Sequence, residues 1–281
     1  MVTSLQATRN AETKVNEFIQ EWRVPANINK VLVLVEGKDD RIFYFKFFRG
    51  EATAIKDCGG CGKMKDIYPL LDATSICHIA IKDSDFARLN SIMPIDDNFF
   101  YADAHDYEMM CLNNENACVE LFENLGIKYE ESLLEKVFRE LNYLSFFKWF
   151  NYTYHSNYNF APFSVEGLTD GQLASYSFIH GKVSLVSPRC VPIRENELNE
   201  FISSHASCDK YELTNGHDFI KRLCHHIKTG YTEHNKLNEE RLRNVLHPCF
   251  RLDAFVQTVL YRDINVWENN RGKDILKKIC N

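Results

Sequence analysis

Three groups of carboxylates, each following an apolar run, supply the residue types a hydrolytic or metal-binding site needs. Glu36 closes Val31 to Val35 and is followed by Gly37, Asp39 and Asp40. Asp83 and Asp85 close Ser75 to Ile81 as Lys-Asp-Ser-Asp. Asp106 and Glu108 follow Phe99 to Ala102 in the run Asp-Ala-His-Asp-Tyr-Glu. Gathered carboxylates repel one another, so a site that collects them with no Lys or Arg inside it expects divalent cations. Oxygen ligands suit Mg²⁺ or Mn²⁺ better than zinc. A fourth segment, Gly216-His217-Asp218, opens a helix on which His217 and Lys221 share one face. That basic pair could bind phosphate or stabilise transition-state charge, or it could belong to an ordinary capped surface helix.

The elements that must position these residues follow from hydrophobic periodicity. Val31 to Val35 is apolar without alternation, as in a strand buried on both faces of a parallel sheet. Open α/β sheets take their ligands at the carboxyl ends of strands, where Glu36 stands. Ala52–Lys56, Ser75–Ile81 and Phe99–Ala102 predict three further strands, and in extended backbone Asp83 and Asp85 would point to one side. Helices are expected over 11–23, over 39–48 (with Asp39 or Asp40 able to cap it) and up to Leu71. Beyond Asn113 the texture is helical: 115–150 with a long apolar stripe, 196–204, 238–246, 253–267, and an end-helix at 272–276. The fold class is α/β, a Rossmann-like core with a mainly parallel sheet and a largely helical C-terminal region.

Other features bound the reading. The 281 residues suit one large domain or two small ones, and 20 Phe and 13 Tyr signal an aromatic-rich core or contact surface. The cluster from Phe146 to Phe150 with Tyr152 and Tyr154 reads first as core, and as a base-stacking platform only if exposed. A net charge of −6 means that any nucleic acid is met by local patches or metal ions. Cys58-Gly-Gly-Cys61 lacks a second pair at zinc-finger spacing and reads as a tight turn; Met64 after Gly62-Lys63 excludes a Walker loop. With no membrane-length apolar run and no cationic leader, the ten cysteines are expected to be reduced thiols of a cytoplasmic protein.

Glu-Gly after a first buried strand and Asp-x-Asp after a later one resembles the Toprim domain of topoisomerases, primases and overcoming-lysogenization-defect nucleases. In Val35-Glu36-Gly37-Lys38-Asp39-Asp40 the second acid, Asp40, stands where the nuclease members carry theirs; Asp83 and Asp85 match the Asp-x-Asp, and Asp106 with Glu108 an additional acidic pair. A Toprim chain of this length without a fused ATPase is similar to the effector subunits of PARIS-type phage-defence systems, whose Gly-His-Asp turn Gly216-His217-Asp218 matches. The resemblance implies a Toprim core with N-terminal helix at 1–113 and a helical region at 114–281 that contributes Gly-His-Asp. It further implies control by an ABC-like ATPase, a homodimer when active, and cleavage of RNA such as tRNA rather than DNA.

The chemistry expected on that basis is Mg²⁺- or Mn²⁺-dependent phosphodiester hydrolysis. Glu36, Asp83 and Asp85 would hold one ion, with Asp40, Asp106 and Glu108 serving a second about 4 Å away. His217 or Lys221 would meet charge on the scissile phosphate. Response-regulator receivers and haloacid-dehalogenase phosphatases place their acids and lysine differently. The alternatives kept open are a non-catalytic sensor or docking subunit of an ATPase complex and a DNA-cleaving nuclease.

Overall fold

A computed structural model describes residues 4–93 and 96–279 of the chain. In chain order, α1 (Ser4–Trp22) leads to β1 (Val31–Val35), α2 (Lys38–Phe45) to β2 (Thr53–Asp57), and α3 (Cys61–Asp72) to β3 (His78–Lys82) and β4 (Phe99–Tyr101). Helices follow: α4 (Tyr107–Leu112), α5 (Glu115–Asn124), α6 (Glu131–Thr153), α7 (Asp170–Leu173), α8 (Tyr176–Ser184), α9 (Glu195–Ser204), α10 (Lys210–Leu213) and α11 (Gly216–Gly230). A 3₁₀ turn at Thr232–His234 then precedes α12 (Glu239–Cys249), α13 (Leu252–Phe255) and α14 (Val259–Asn270). Local chemistry sets many of these starts. Asn114, Asn215, Asn238 and Thr258 each accept a backbone N–H of the first helical turn, satisfying a donor the helix cannot.

The chain forms two compact units. A sheet unit takes 1–83, 94–103 and 251–281; a helical unit takes 84–93 and 104–250. The division expected at 113 is a single cut, whereas the chain leaves the sheet unit and returns to it. Residues from Ala104 already belong with the helices, and Arg251 onward with the sheet.

In the sheet unit the four strands are parallel in the order β2-β1-β3-β4. Val33 is in register with Ile55 on one side and Ile79 on the other. A strand with neighbours on both sides and helices over its faces has no solvated side, which is why all five residues of β1 are apolar and buried. Leu32, Leu34 and Ala80 pack with Val15, Phe18 and Trp22 of α1 and Met64, Ile67 and Leu71 of α3 in one buried cluster. The tail is not the expected end-helix. Glu268, fully buried, accepts the N–H groups of Ile275 and Leu276, Lys277 donates to Phe47, and Leu276 bridges Phe48 antiparallel. Amides taken in this way are lost to a helix ladder.

In the helical unit α6 buries the stripe Leu134, Val137, Phe138, Leu141, Leu144 and Phe147, and packs against α9 and α11. Phe146, Phe147, Trp149 and Phe150 are core, as their apolar run suggests. One ion network ties the helices together: the buried Glu140 accepts from Arg222 and from His226 at 2.7 Å, while Arg222 also donates to the Leu168 carbonyl at 2.6 Å and to Asp170 at 2.7 Å. Desolvation pulls the Glu140 pKa up, but Arg222 and His226 outweigh it and leave the carboxyl below its ordinary value.

Removing one partner of such a network strands a buried charge, so Glu140→Ala is expected to cost about 3–5 kcal/mol in urea unfolding. Because the folded pKa is depressed, this stabilisation is complete above the ordinary glutamate range and disappears as pH falls through the lowered value. The gap in melting temperature between wild type and Glu140→Gln should therefore close on acidification; a constant gap would contradict the network's role.

Candidate functional sites

In the sheet unit, strand order reverses direction between β1 and β3. The chain steps from β1 to β2 on one side, then crosses to place β3 on the other. The crevice outside the carboxyl ends at such a reversal is where open α/β sheets bind ligands. Glu36 directly follows β1 and Asp83 directly follows β3, so both expected residues stand at this point. Asp40 lies one helical turn from Glu36: its Oδ2 accepts the Gly37 N–H at 2.7 Å, closing the first turn of α2. A Cβ on Gly37 would lie 3.3 Å from that oxygen, so the turn is already tight. Burial raises the Asp40 pKa; the Gly37 N–H opposes this and the Glu36 charge adds to it.

Sequence reasoning missed one member of this group. The expectation of carboxylates with no lysine among them fails, because Lys82 Nζ is 3.3 Å from Glu36 Oε1 and donates to the Asp83 carbonyl at 3.0 Å. The parallel register explains it: Val35 pairs with Ile81, which brings the next residues, Glu36 and Lys82, side by side. The lysine was visible in Lys-Asp-Ser-Asp, but its partner is set by the sheet. Asp103, of the third acidic run, serves structure: its two oxygens accept the N–H groups of Val259 (2.6 Å) and Leu260 (2.8 Å) at the start of α14.

The Asp-x-Asp is not extended. Ser84 donates its hydroxyl to the Ala104 carbonyl and Asp85 its N–H to the His105 carbonyl, and Asp85 takes φ +47°, the left-handed region. The period-two argument that would aim Asp83 and Asp85 alike does not apply, and Asp83 closes a segment of the sheet unit while Asp85 belongs to the helical one.

The helical unit holds the second group. Asp106 caps α4: Oδ1 accepts the Met109 N–H at 3.0 Å and Oδ2 the Gly216 N–H at 2.7 Å, from the first turn of α11. Glu108, on the first turn of α4, is fully buried. His217 Nε2 lies 3.7 Å and the Arg243 guanidinium 3.9 Å from Glu108 Oε1. Gly216 is there for lack of a side chain. A Cβ would fall 2.3 Å from Asp106 Oδ1 and 2.6 Å from the Glu108 Cβ. Asp218 pairs with Lys148 of α6. The three residues of Gly-His-Asp thus do different things: the glycine permits close approach, the histidine sets an imidazole beside the acids, and the aspartate anchors the turn. Lys221 lies 3.9 Å from Glu239 and its charge reaches His217. Arg243 carried no sequence signal; only the packing of α12 against α4 brings it here.

Burial, then the Glu108 charge, raises the Asp106 pKa despite His105 and the two N–H donors. Desolvation lowers the His217 pKa against the pull of Asp106, with Arg243 and Lys221 adding to the lowering. The imidazole is half exposed and, with a lowered pKa, keeps a lone pair at neutral pH. Asp106, Glu108 and His217 can each offer one ligand atom within 4.8 Å of the others. Two carboxylates that repel inside the protein, with a neutral imidazole beside them, form a donor set that fits a divalent cation. The nitrogen donor favours Mn²⁺ over Mg²⁺ there.

Cys58 is buried, and its thiol is pushed up to about 12 by burial and then by the Glu36 charge, which disfavours the thiolate that redox or zinc chemistry requires. The Cys61 side chain lies outside the described residues. Gly59 and Gly60 take φ +78° and +123°, matching the expected tight turn into α3. Among the described residues no helix is long and apolar enough to cross a membrane. No family model, no curated protein and no solved structure matches the chain.

The closeness of Gly216 to Asp106 and Glu108 gives a direct check. Gly216→Ala should overpack the site and cost about 1–3 kcal/mol, read as a lowered urea midpoint. An unchanged midpoint would contradict the placement of α11 over the acids.

Proposed function

We propose that the chain is a metal-dependent phosphodiesterase that cleaves nucleic acid, RNA rather than DNA, in the manner of the Toprim nucleases it resembles. The observation that carries this reading is the pair Glu36 and Asp83 at the carboxyl ends of adjacent parallel strands, where the order of the sheet reverses. Glu36 and Asp83 would hold a divalent ion there, and Asp106, Glu108 and His217 would hold another. Such ions supply Lewis-acid stabilisation of phosphoryl charge and lower the pKa of bound water.

The chain's own residues have definable parts in this scheme. Asp40 keeps Gly37 and the Glu36 turn in place through its N–H bond. Lys82 neutralises Glu36 in the resting protein, and its ammonium would turn to the substrate phosphate once another cation meets Glu36. His217, half exposed and neutral, would offer its Nε2 lone pair beside Glu108 to the second ion. The net charge of −6 makes these cationic groups and the metal the means of meeting a polyanion. Control by an ABC-like ATPase, a homodimeric active form and a role in phage defence belong to the same proposal and rest on the resemblance alone.

One observation favours a second reading. Because Lys82 already answers Glu36, the sheet-end group is electrically satisfied without metal, as a non-catalytic sensor or docking subunit would allow.

Incubation of the purified full-length chain with total tRNA and with plasmid DNA, in Mg²⁺, Mn²⁺ or EDTA, separates the readings. The expected result is RNA cleavage that needs metal and falls at least about a hundredfold in Glu36→Ala. Cleavage surviving in that variant would overturn the proposal. DNA cleavage would move the substrate class, and absence of any cut, with or without a partner ATPase, would favour the non-catalytic reading.

A further inference from the structure

One groove of the helical unit has a chemistry unlike that of either acidic group. It encloses about 590 Å³ between the end of α6, the segment before α9, and α9 itself. Its aromatic wall is Phe150, Tyr154, Phe201 and His205. Phe150 and Tyr154 have ring centroids 4.4 Å apart and Phe201 and His205 4.2 Å, with Phe150 to Phe201 at 5.3 Å. Phe150 and Phe201 are buried, whereas Tyr154 is 58% exposed and presents its ring at the surface of the groove.

The rest of the lining decides what such a surface would take. Glu197 and Glu200 also line it, Val191 and Pro192 add apolar surface, and no Lys or Arg is among the lining residues. Glu197 is shared with Arg194, 3.7 Å away across one turn of α9 on an exposed face, a pair worth little. Glu200 is exposed and has no ion pair among the described residues. Rings carry negative charge on their faces, and carboxylates beside them add to it, so the groove attracts a cation and repels a polyanion. A nucleic-acid strand could stack on Tyr154, but it would bring its phosphates to two glutamates.

We propose that this groove, formed by Phe150, Tyr154, Phe201, Glu197 and Glu200, docks a basic segment of a partner protein. An arginine would stack on Tyr154 and pair with Glu200. Arginine suits it better than lysine, because a planar guanidinium stacks on a ring and still offers donors to a carboxylate. Val191 and Pro192 call for an apolar neighbour beside it in the partner segment. Tyr154 and Glu200 belong to neither acidic group, so the docking can be broken without altering those groups.

The test is a titration of the full-length chain with a Leu-Arg-Leu peptide blocked at both ends, followed by calorimetry, beside the same peptide with citrulline for arginine. Saturable binding that weakens about fivefold or more in Tyr154→Ala and in Glu200→Lys, and with the neutral citrulline peptide, is expected. Glu123→Lys, an exposed change on α5, which does not line the groove, controls for overall charge and should bind as wild type. Equal binding of the citrulline peptide would mean an apolar groove only and overturn the proposal. So would an unchanged affinity in both groove variants, an absence of saturable binding, or preferential binding of a single-stranded oligonucleotide that Tyr154→Ala abolishes.

Discussion

A carboxylate withdrawn from water must be met by donors or by a cation, and among the described residues Glu36, Asp40, Asp106, Glu108, Glu140, Glu268 and the Lys148-paired Asp218 are withdrawn. How each is met sorts structure from function. Glu140 is held by Arg222 and His226, and Glu268 by two backbone amides and Lys278 at 2.9 Å. Both build the fold. Asp40 and Asp106 accept amides that shape the turns beside Glu36 and Glu108. Glu36 faces Lys82 at 3.3 Å, and Glu108 faces Arg243 at 3.9 Å and the neutral His217 imidazole at 3.7 Å. These two carboxylates define the candidate chemistry.

The sheet explains why Glu36 has this position. An all-apolar β1 fits between two other strands, and the reversal of direction on its two sides puts its carboxyl end where open α/β sheets bind ligands. Glycine and capping chemistry then fix the details. Gly37 lets α2 begin at once after Glu36, with Asp40 closing its first turn. Gly216 lets α11 begin against Asp106 and Glu108, where any side chain would collide. The same logic serves both units: a helix starts beside a carboxylate, and a short residue or a backbone donor makes room for it.

Much of this is legible in the residues themselves. An unbroken apolar run announces β1, the three-and-four spacing announces the buried stripe of α6, and the turn at Gly-His-Asp announces the start of α11. What sequence does not show is what meets across space. Lys82 answers Glu36 through sheet register, and Arg243 reaches Glu108 from more than a hundred residues away through helix packing. The extended reading of Asp-x-Asp failed because Ser84 and Asp85 bond to carbonyls near residue 105, and the end-helix failed because Glu268 claims its amides. Single-sequence patterns record local preference, and these are tertiary overrides.

The proposed function requires that the carboxylates ending β1 and β3 hold a divalent cation. The most direct test is an Mn²⁺ titration of the full chain followed by electron paramagnetic resonance, wild type beside Asp83→Asn. The claim predicts saturable Mn²⁺ binding that Mg²⁺ displaces and that one site of the variant loses by about tenfold or more. Mn²⁺ binding identical in the two proteins, or none in either, would contradict it.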